Sequence, residues 1–162
     1  MQATNSERRS VHALWLMFLA ALASPLWGAD TPRPAALDVK ATAAVRQDNA
    51  LVPADRVMPG DEVFYTLEIR NKGSRPLPAP TVDFAIPAHM RYVANSAVGA
   101  GAEVSYSVDG GHSFERPDNL TVAVGTNRRL ATPADYTHIR WRLKHALKAK
   151  ALALARFRAI VK

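Results

Sequence analysis

Pro59-Gly60-Asp61-Glu62-Val63-Phe64-Tyr65-Thr66-Leu67-Glu68-Ile69-Arg70-Asn71-Lys72-Gly73 reads as a turn, a strand and a second turn. Val63, Tyr65, Leu67 and Ile69 alternate with Phe64, Thr66, Glu68 and Arg70, the period of a strand with one face in a core and the other mostly wet. Pro59 and Gly60 before it, and Asn71 and Gly73 after it, supply the fixed and positive φ angles that tight turns require.

The same punctuation recurs outward from this strand. Upstream, Leu37-Asp38-Val39-Lys40-Ala41 alternates as a first strand, and Gln47-Asp48-Asn49 is a turn. Downstream, Gly73, Pro76, Pro78 and Pro80 rule out a central strand over 72 to 80 and mark a connecting loop. Thr81 to Ile86 resumes alternation, Met90 to Val93 is a short strand, and Gly99 and Gly101 interrupt. Glu103 to Val108, Asp109-Gly110-Gly111 and His112-Ser113-Phe114 form the clearest hairpin, with two positive φ angles assigned to Asp-Gly. Leu120 to Val124 and Tyr136 to Leu143 add two strands. Short strands set apart by Gly, Pro, Asn and Asp clusters indicate an all-β chain folded as a β-sandwich of about seven strands.

The last segment carries conflicting signals. Lys144 to Lys162 is rich in Ala, Leu, Lys and Arg, so propensity points to a basic amphipathic helix. Periodicity points to a strand: Ala153, Ala155, Phe157, Ala159 and Val161 share one face, and Leu154, Arg156, Arg158 and Ile160 the other. The strand is preferred, because a sandwich lacks its closing strand without it.

Residues 1 to 29 have the order of a secretory signal peptide: Arg8 and Arg9, an apolar run from Val11 to Leu22 broken only by His12, then Ser24, Pro25 and Gly28. Cleavage after Ala23 follows the small-x-small pattern of Ala21 and Ala23; cleavage after Gly28 or Ala29, where bulky Leu26 or Trp27 falls in a less favourable place, is nevertheless preferred. An uncleaved anchor needs about 20 apolar residues, and Pro25 and Gly28 fall where that helix has to continue. Residues 30 to 36, with Pro32 and Pro34, form a flexible leader into a domain spanning 37 to 162.

The chain contains no cysteine, which excludes a disulfide, a thiolate nucleophile, a cysteine-ligated metal and a lipidated N-terminal cysteine. After cleavage about 130 residues remain, enough for one core without staples. The formal charge is +7, to which Glu7, Arg8 and Arg9 contribute a net +1. Arg140, Arg142, Lys144, Lys148, Lys150, Arg156, Arg158 and Lys162 give residues 138 to 162 a local +8 with no acid, so the basicity belongs to the C-terminus.

Val57 to Gly73 resembles the signature of the bacterial "conserved repeat" domain, the immunoglobulin-like domain of unknown function numbered eleven. Further matches follow in order: Tyr106 to Gly111 with Phe114, then Ile139-Arg140-Trp141 with Leu143 and Leu147, and finally Phe157, Ala159 and Val161. The resemblance covers roughly residues 37 to 162. It departs at Lys148-Ala149-Lys150-Ala151, where the family often has Pro-Gly before its closing strand. It implies an exported immunoglobulin-like sandwich of the cell envelope, periplasmic or secreted, without catalytic residues, here in a single copy with a structural or protein-interaction role.

Ser107, Asp109, Gly111 and Phe114 also resemble the Asp-box hairpin of sialidases, in which the box is a structural turn outside the active site; one copy makes no propeller. His89, His112, His138 and His145 stand singly, without the spacing that brings two onto one metal, and no nucleophile elbow occurs. Asp55, Asp61 and Glu62 lack a regular calcium-loop spacing. No catalytic residue, cofactor or metal is expected, and nucleic acid is not an expected partner. Asn119-Leu120-Thr121 reads as a turn, and Trp141 as a core aromatic. The best lead is a basic surface: Lys144, Lys148, Lys150, Arg156 and Arg158, if gathered, attract anionic lipid headgroups or acidic polysaccharide in peripheral contact. The competing reading makes them guards on an edge strand.

Overall fold

In the computed structural model, which describes residues 36 to 162 apart from Ala100, the chain is all-β. The expected signal peptide, 1 to 29, and residues 30 to 35 of the leader lie outside the described residues. Eleven strands follow in order: β1 (Leu37–Gln47), β2 (Ala50–Pro53), β3 (Glu62–Asn71), β4 (Thr81–Ala85), β5 (Met90–Tyr92), β6 (Val98–Gly99), β7 (Ala102–Ser107), β8 (Thr121–Val124), β9 (Asn127–Leu130), β10 (His138–Leu143) and β11 (Leu152–Val161).

Two antiparallel sheets supply the layers of a sandwich. The larger has six strands in the order β2-β1-β3-β11-β5, with β6 also paired to β11; the smaller has the order β4-β10-β7. A separate ribbon joins β8 to β9. Alternation in β3 buries Val63, Tyr65, Leu67 and Ile69, as its sequence requires, and leaves Phe64, Thr66, Glu68 and Arg70 partly exposed. The contested C-terminus is a strand: β11 runs antiparallel to β3 from Leu152 opposite Arg70 to Ile160 opposite Glu62. It buries Ala155, Phe157, Ala159 and Val161.

Phe157 ties the layers together. Its ring stacks on Tyr65, directly opposite on β3, at 4.6 Å between centroids, and meets Phe84 of β4 at 5.4 Å and Trp141 of β10 at 6.1 Å. Trp141 is fully buried, as expected of a core aromatic. Tyr136 stacks on Tyr106 instead, and the Tyr106 hydroxyl lies 2.9 Å from that of Tyr92. Burial, with that hydrogen bond second, pushes the Tyr106 phenol well above its ordinary pKa.

Several elements differ from the sequence reading. The strand expected over Tyr136 to Leu143 begins at His138, and that over Leu120 to Val124 begins at Thr121. The return limb of the expected hairpin, His112 to Phe114, is not a strand; the chain rejoins β7 through a single bridge between Tyr106 and Glu115. Positive φ falls on Gly110 (76°) and Gly111 (90°), not on Asp109, since glycine takes that region without a Cβ clash, and the Asp109 carboxylate organises the turn. It accepts from Ser107 Oγ at 2.6 Å, from the His112 and Ser113 amides at 3.1 and 3.0 Å, and from Ser113 Oγ at 2.6 Å. The Asp-box pattern is thus a self-contained turn.

Candidate functional site

Outward-facing residues of the six-stranded sheet form the candidate site. Because β11 alternates, Leu152, Leu154, Arg156, Arg158 and Ile160 point away from the core. Register with β3 brings Arg156 opposite Thr66 and Arg158 opposite Phe64. Register with β6 brings Val98 beside Arg156. The turn between β5 and β6 is fastened by buried Ser96, whose hydroxyl accepts from the Arg158 amide at 3.0 Å and donates to the Val93 carbonyl at 2.6 Å. The Ala97 amide donates to the Tyr92 hydroxyl at 2.9 Å. These bonds hold Val98 over the face.

The result is a groove of about 320 Å³ between Leu51, Phe64, Thr66, Val98, Arg156 and Arg158. Leu51 of β2 and Val98 of β6, on strands separated by β1, β3 and β11, are 55% and 56% exposed at the two ends of the groove. A second depression, lined by Val98, Gly99, Leu154 and Arg156, shares two residues with the first. Arg46 of β1 lies over the Phe64 ring at 5.4 Å. Arg158 donates to Glu62 at 2.9 Å, whereas Arg156 has no acidic side chain within ion-pair reach among the described residues.

The structure separates the five basic residues singled out in the sequence. Arg156 and Arg158 share the groove. Lys148 and Lys150 lie in the turn before β11, so on a strand rising about 3.3 Å per residue Lys150 is roughly 20 Å from Arg156, beyond the screening length of about 8 Å in physiological salt. Lys144 follows β10 and bonds through its amide to Gly101. Lys150 is held by its ammonium group, which donates to the Lys72 carbonyl at 2.6 Å. β11 is also flanked on both sides over Ala155–Arg156 and Ala159–Val161, so Arg156 does not guard an edge.

Sequence reasoning had no signal for a second ionic cluster on the outer face of the smaller sheet. Arg140 chelates Asp83 with two 2.7 Å bonds and lies 3.7 Å over the Phe114 ring. Glu103 accepts from Arg142 and Arg116, both at 2.5 Å. Those two bonds, Arg142 first, lower its carboxyl pKa to about 2. These charges satisfy one another, which leaves less for a ligand than Arg156 offers. Among the described residues, no group of three or more His, Asp or Glu side chains gathers as metal ligands. Asp61 instead accepts from the Met58 amide at 2.8 Å.

The fold and site define an antiparallel β-sandwich with an arginine-flanked apolar groove on one face. No protein-family model, no curated protein and no solved structure matches the chain.

Proposed function

We propose that the protein is an exported, non-enzymatic, immunoglobulin-like module of the bacterial cell envelope, periplasmic or secreted, with a structural or protein-interaction role. The observation that carries this reading is the groove itself: exposed Leu51 and Val98 line it together with an arginine, Arg156, that has no acidic partner among the described residues. Desolvated aromatic and aliphatic anchors next to a guanidinium are the composition of interface centres. The matching partner is a polypeptide that presents an apolar side chain with a carboxylate one or two residues away.

A photo-crosslinking amino acid placed at Val98 in the full chain, expressed in its bacterial host, tests this. The reading expects one dominant protein adduct in the envelope fraction, absent when the label is at Arg128 and lost in Arg156→Glu. An adduct spread equally over both positions, or none, rejects it.

A second reading, binding of anionic membrane or polysaccharide through the basic C-terminal segment, is favoured by exposed Lys144, Lys148 and Arg156, none of which is ion-paired among the described residues. It requires salt-sensitive retention on heparin or anionic vesicles that disappears when Lys148, Lys150, Arg156 and Arg158 are all changed to Gln.

A further inference from the structure

β1 is paired with β3 from Leu37 to Val45, but with β2 only from Ala44 to Gln47. The Ala43 carbonyl accepts from the Ala54 amide on the outer side. From Leu37 to Thr42 the outer side of β1 has no strand beside it among the described residues. Which backbone groups it presents follows from parity. The Ala36 carbonyl accepts from the Lys72 amide on the β3 side, so even-numbered residues bond inward and odd-numbered ones outward. Leu37, Val39 and Ala41 therefore aim N–H and C=O at an open edge.

Side chains follow the same parity. Val39 and Ala41 lie on the core-facing side, opposite Ile69 and Leu67, yet Val39 is 42% exposed. Asp38 and Lys40 lie on the outer face, with Lys40 not ion-paired among the described residues and Asp38 sharing one oxygen with Lys72 at 3.0 Å.

We infer that this edge is an isologous dimer interface, in which β1 of one copy pairs antiparallel with β1 of a second copy about a two-fold axis at Val39. The register decides the occupant. With Val39 opposite Val39 of the second copy, Leu37 and Ala41 face each other across the axis, and the odd residues form six backbone hydrogen bonds. Asp38 then stands opposite Lys40 twice, at the closer, non-hydrogen-bonded spacing of about 4.5 Å between Cα atoms. Moving the axis one residue in either direction puts Lys40 opposite itself or Asp38 opposite itself. One register is self-complementary in hydrogen bonding, apolar contact and charge, and its neighbours are penalised in charge. A lone edge lysine discourages all pairing; an acid two residues before it makes one pairing favourable. The inference goes beyond the interaction reading and does not depend on the groove.

Sedimentation velocity on the full chain from about 1 µM to about 500 µM tests it, since dimerisation responds to concentration. Concentration-dependent dimer formation is expected. Asp38→Lys and Lys40→Asp each place like charges across the axis and weaken dimerisation by about tenfold or more; the double variant restores it with the signs exchanged. Because the natural chain has no cysteine, Val39→Cys adds a direct readout. Two such residues at the axis lie about 5.5 Å apart between Cα atoms, within disulfide range, and oxidise to a covalent dimer, whereas Arg128→Cys does not. A chain that remains monomeric at the highest concentration, or a dimer indifferent to both single reversals, overturns the inference.

Discussion

Asn71 is fully buried and holds two loops at once. Its amide nitrogen donates to the carbonyls of Arg75 (2.8 Å), Leu147 (3.0 Å) and Lys148 (3.1 Å), and its oxygen accepts from the Gly73 amide at 2.9 Å. Asn71→Ala strands several backbone groups away from water and is expected to cost about 2–3 kcal/mol, measured by urea unfolding; a loss under about 0.5 kcal/mol contradicts this role. Asp109 acts through charge. Hydrogen bonds from Ser107 and then Ser113 hold its carboxyl well below the usual range. A depressed carboxylate contributes stability above its unfolded pKa, near 3.9, that is lost as pH falls towards the folded value. Thermal midpoints between pH 5 and pH 2 are therefore expected to drop more steeply for the natural chain than for Asp109→Asn, and parallel curves contradict this. The sequence marked both residues as turn formers. It did not show that the Asn71 side chain reaches a loop more than seventy residues away, since nothing local encodes that distance.

At the scale of elements, periodicity decided β3 and β11. In β11 every second residue from Ala155 to Val161 is buried, and burial of Phe157 against Tyr65 outweighs the helix propensity of Ala, Leu, Lys and Arg. The turn into β11 contains no Gly, and Lys150 there adopts a φ of 62°. A side chain in that region costs about 1 kcal/mol or more. Lys150→Gly is expected to raise stability by roughly that amount, less what is lost with the Lys72 contact, as read from the denaturation midpoint; a decrease means that the lysine contact outweighs the strain. Strands β2, β6 and β9, two to four residues long, escaped the sequence reading; none of them buries a residue, so no core-facing alternation marks them. The groove escaped for the same reason. Arg156 and Arg158 were legible on β11, but Leu51 and Val98 come from those unseen short strands, and only the pairing of the sheet sets Val98 beside Arg156 and Leu51 beside Arg46.

For the whole molecule, the basic C-terminal segment is an inner strand whose outer face belongs to a groove. Neither composition nor charge could settle this, because a run of cations on Ala and Leu serves equally for a surface helix. Amide hydrogen exchange over Leu152–Val161, on the full chain with and without anionic vesicles, tests it most directly. Strong protection is expected from Ala155 to Val161, where strands flank β11 on both sides over Ala155–Arg156 and Ala159–Val161 and the Arg158 amide donates to Ser96, unchanged by vesicles. Rapid exchange that becomes protected only when vesicles are added would mean that the segment is a membrane-bound helix and would contradict both the closing strand and the groove built on it.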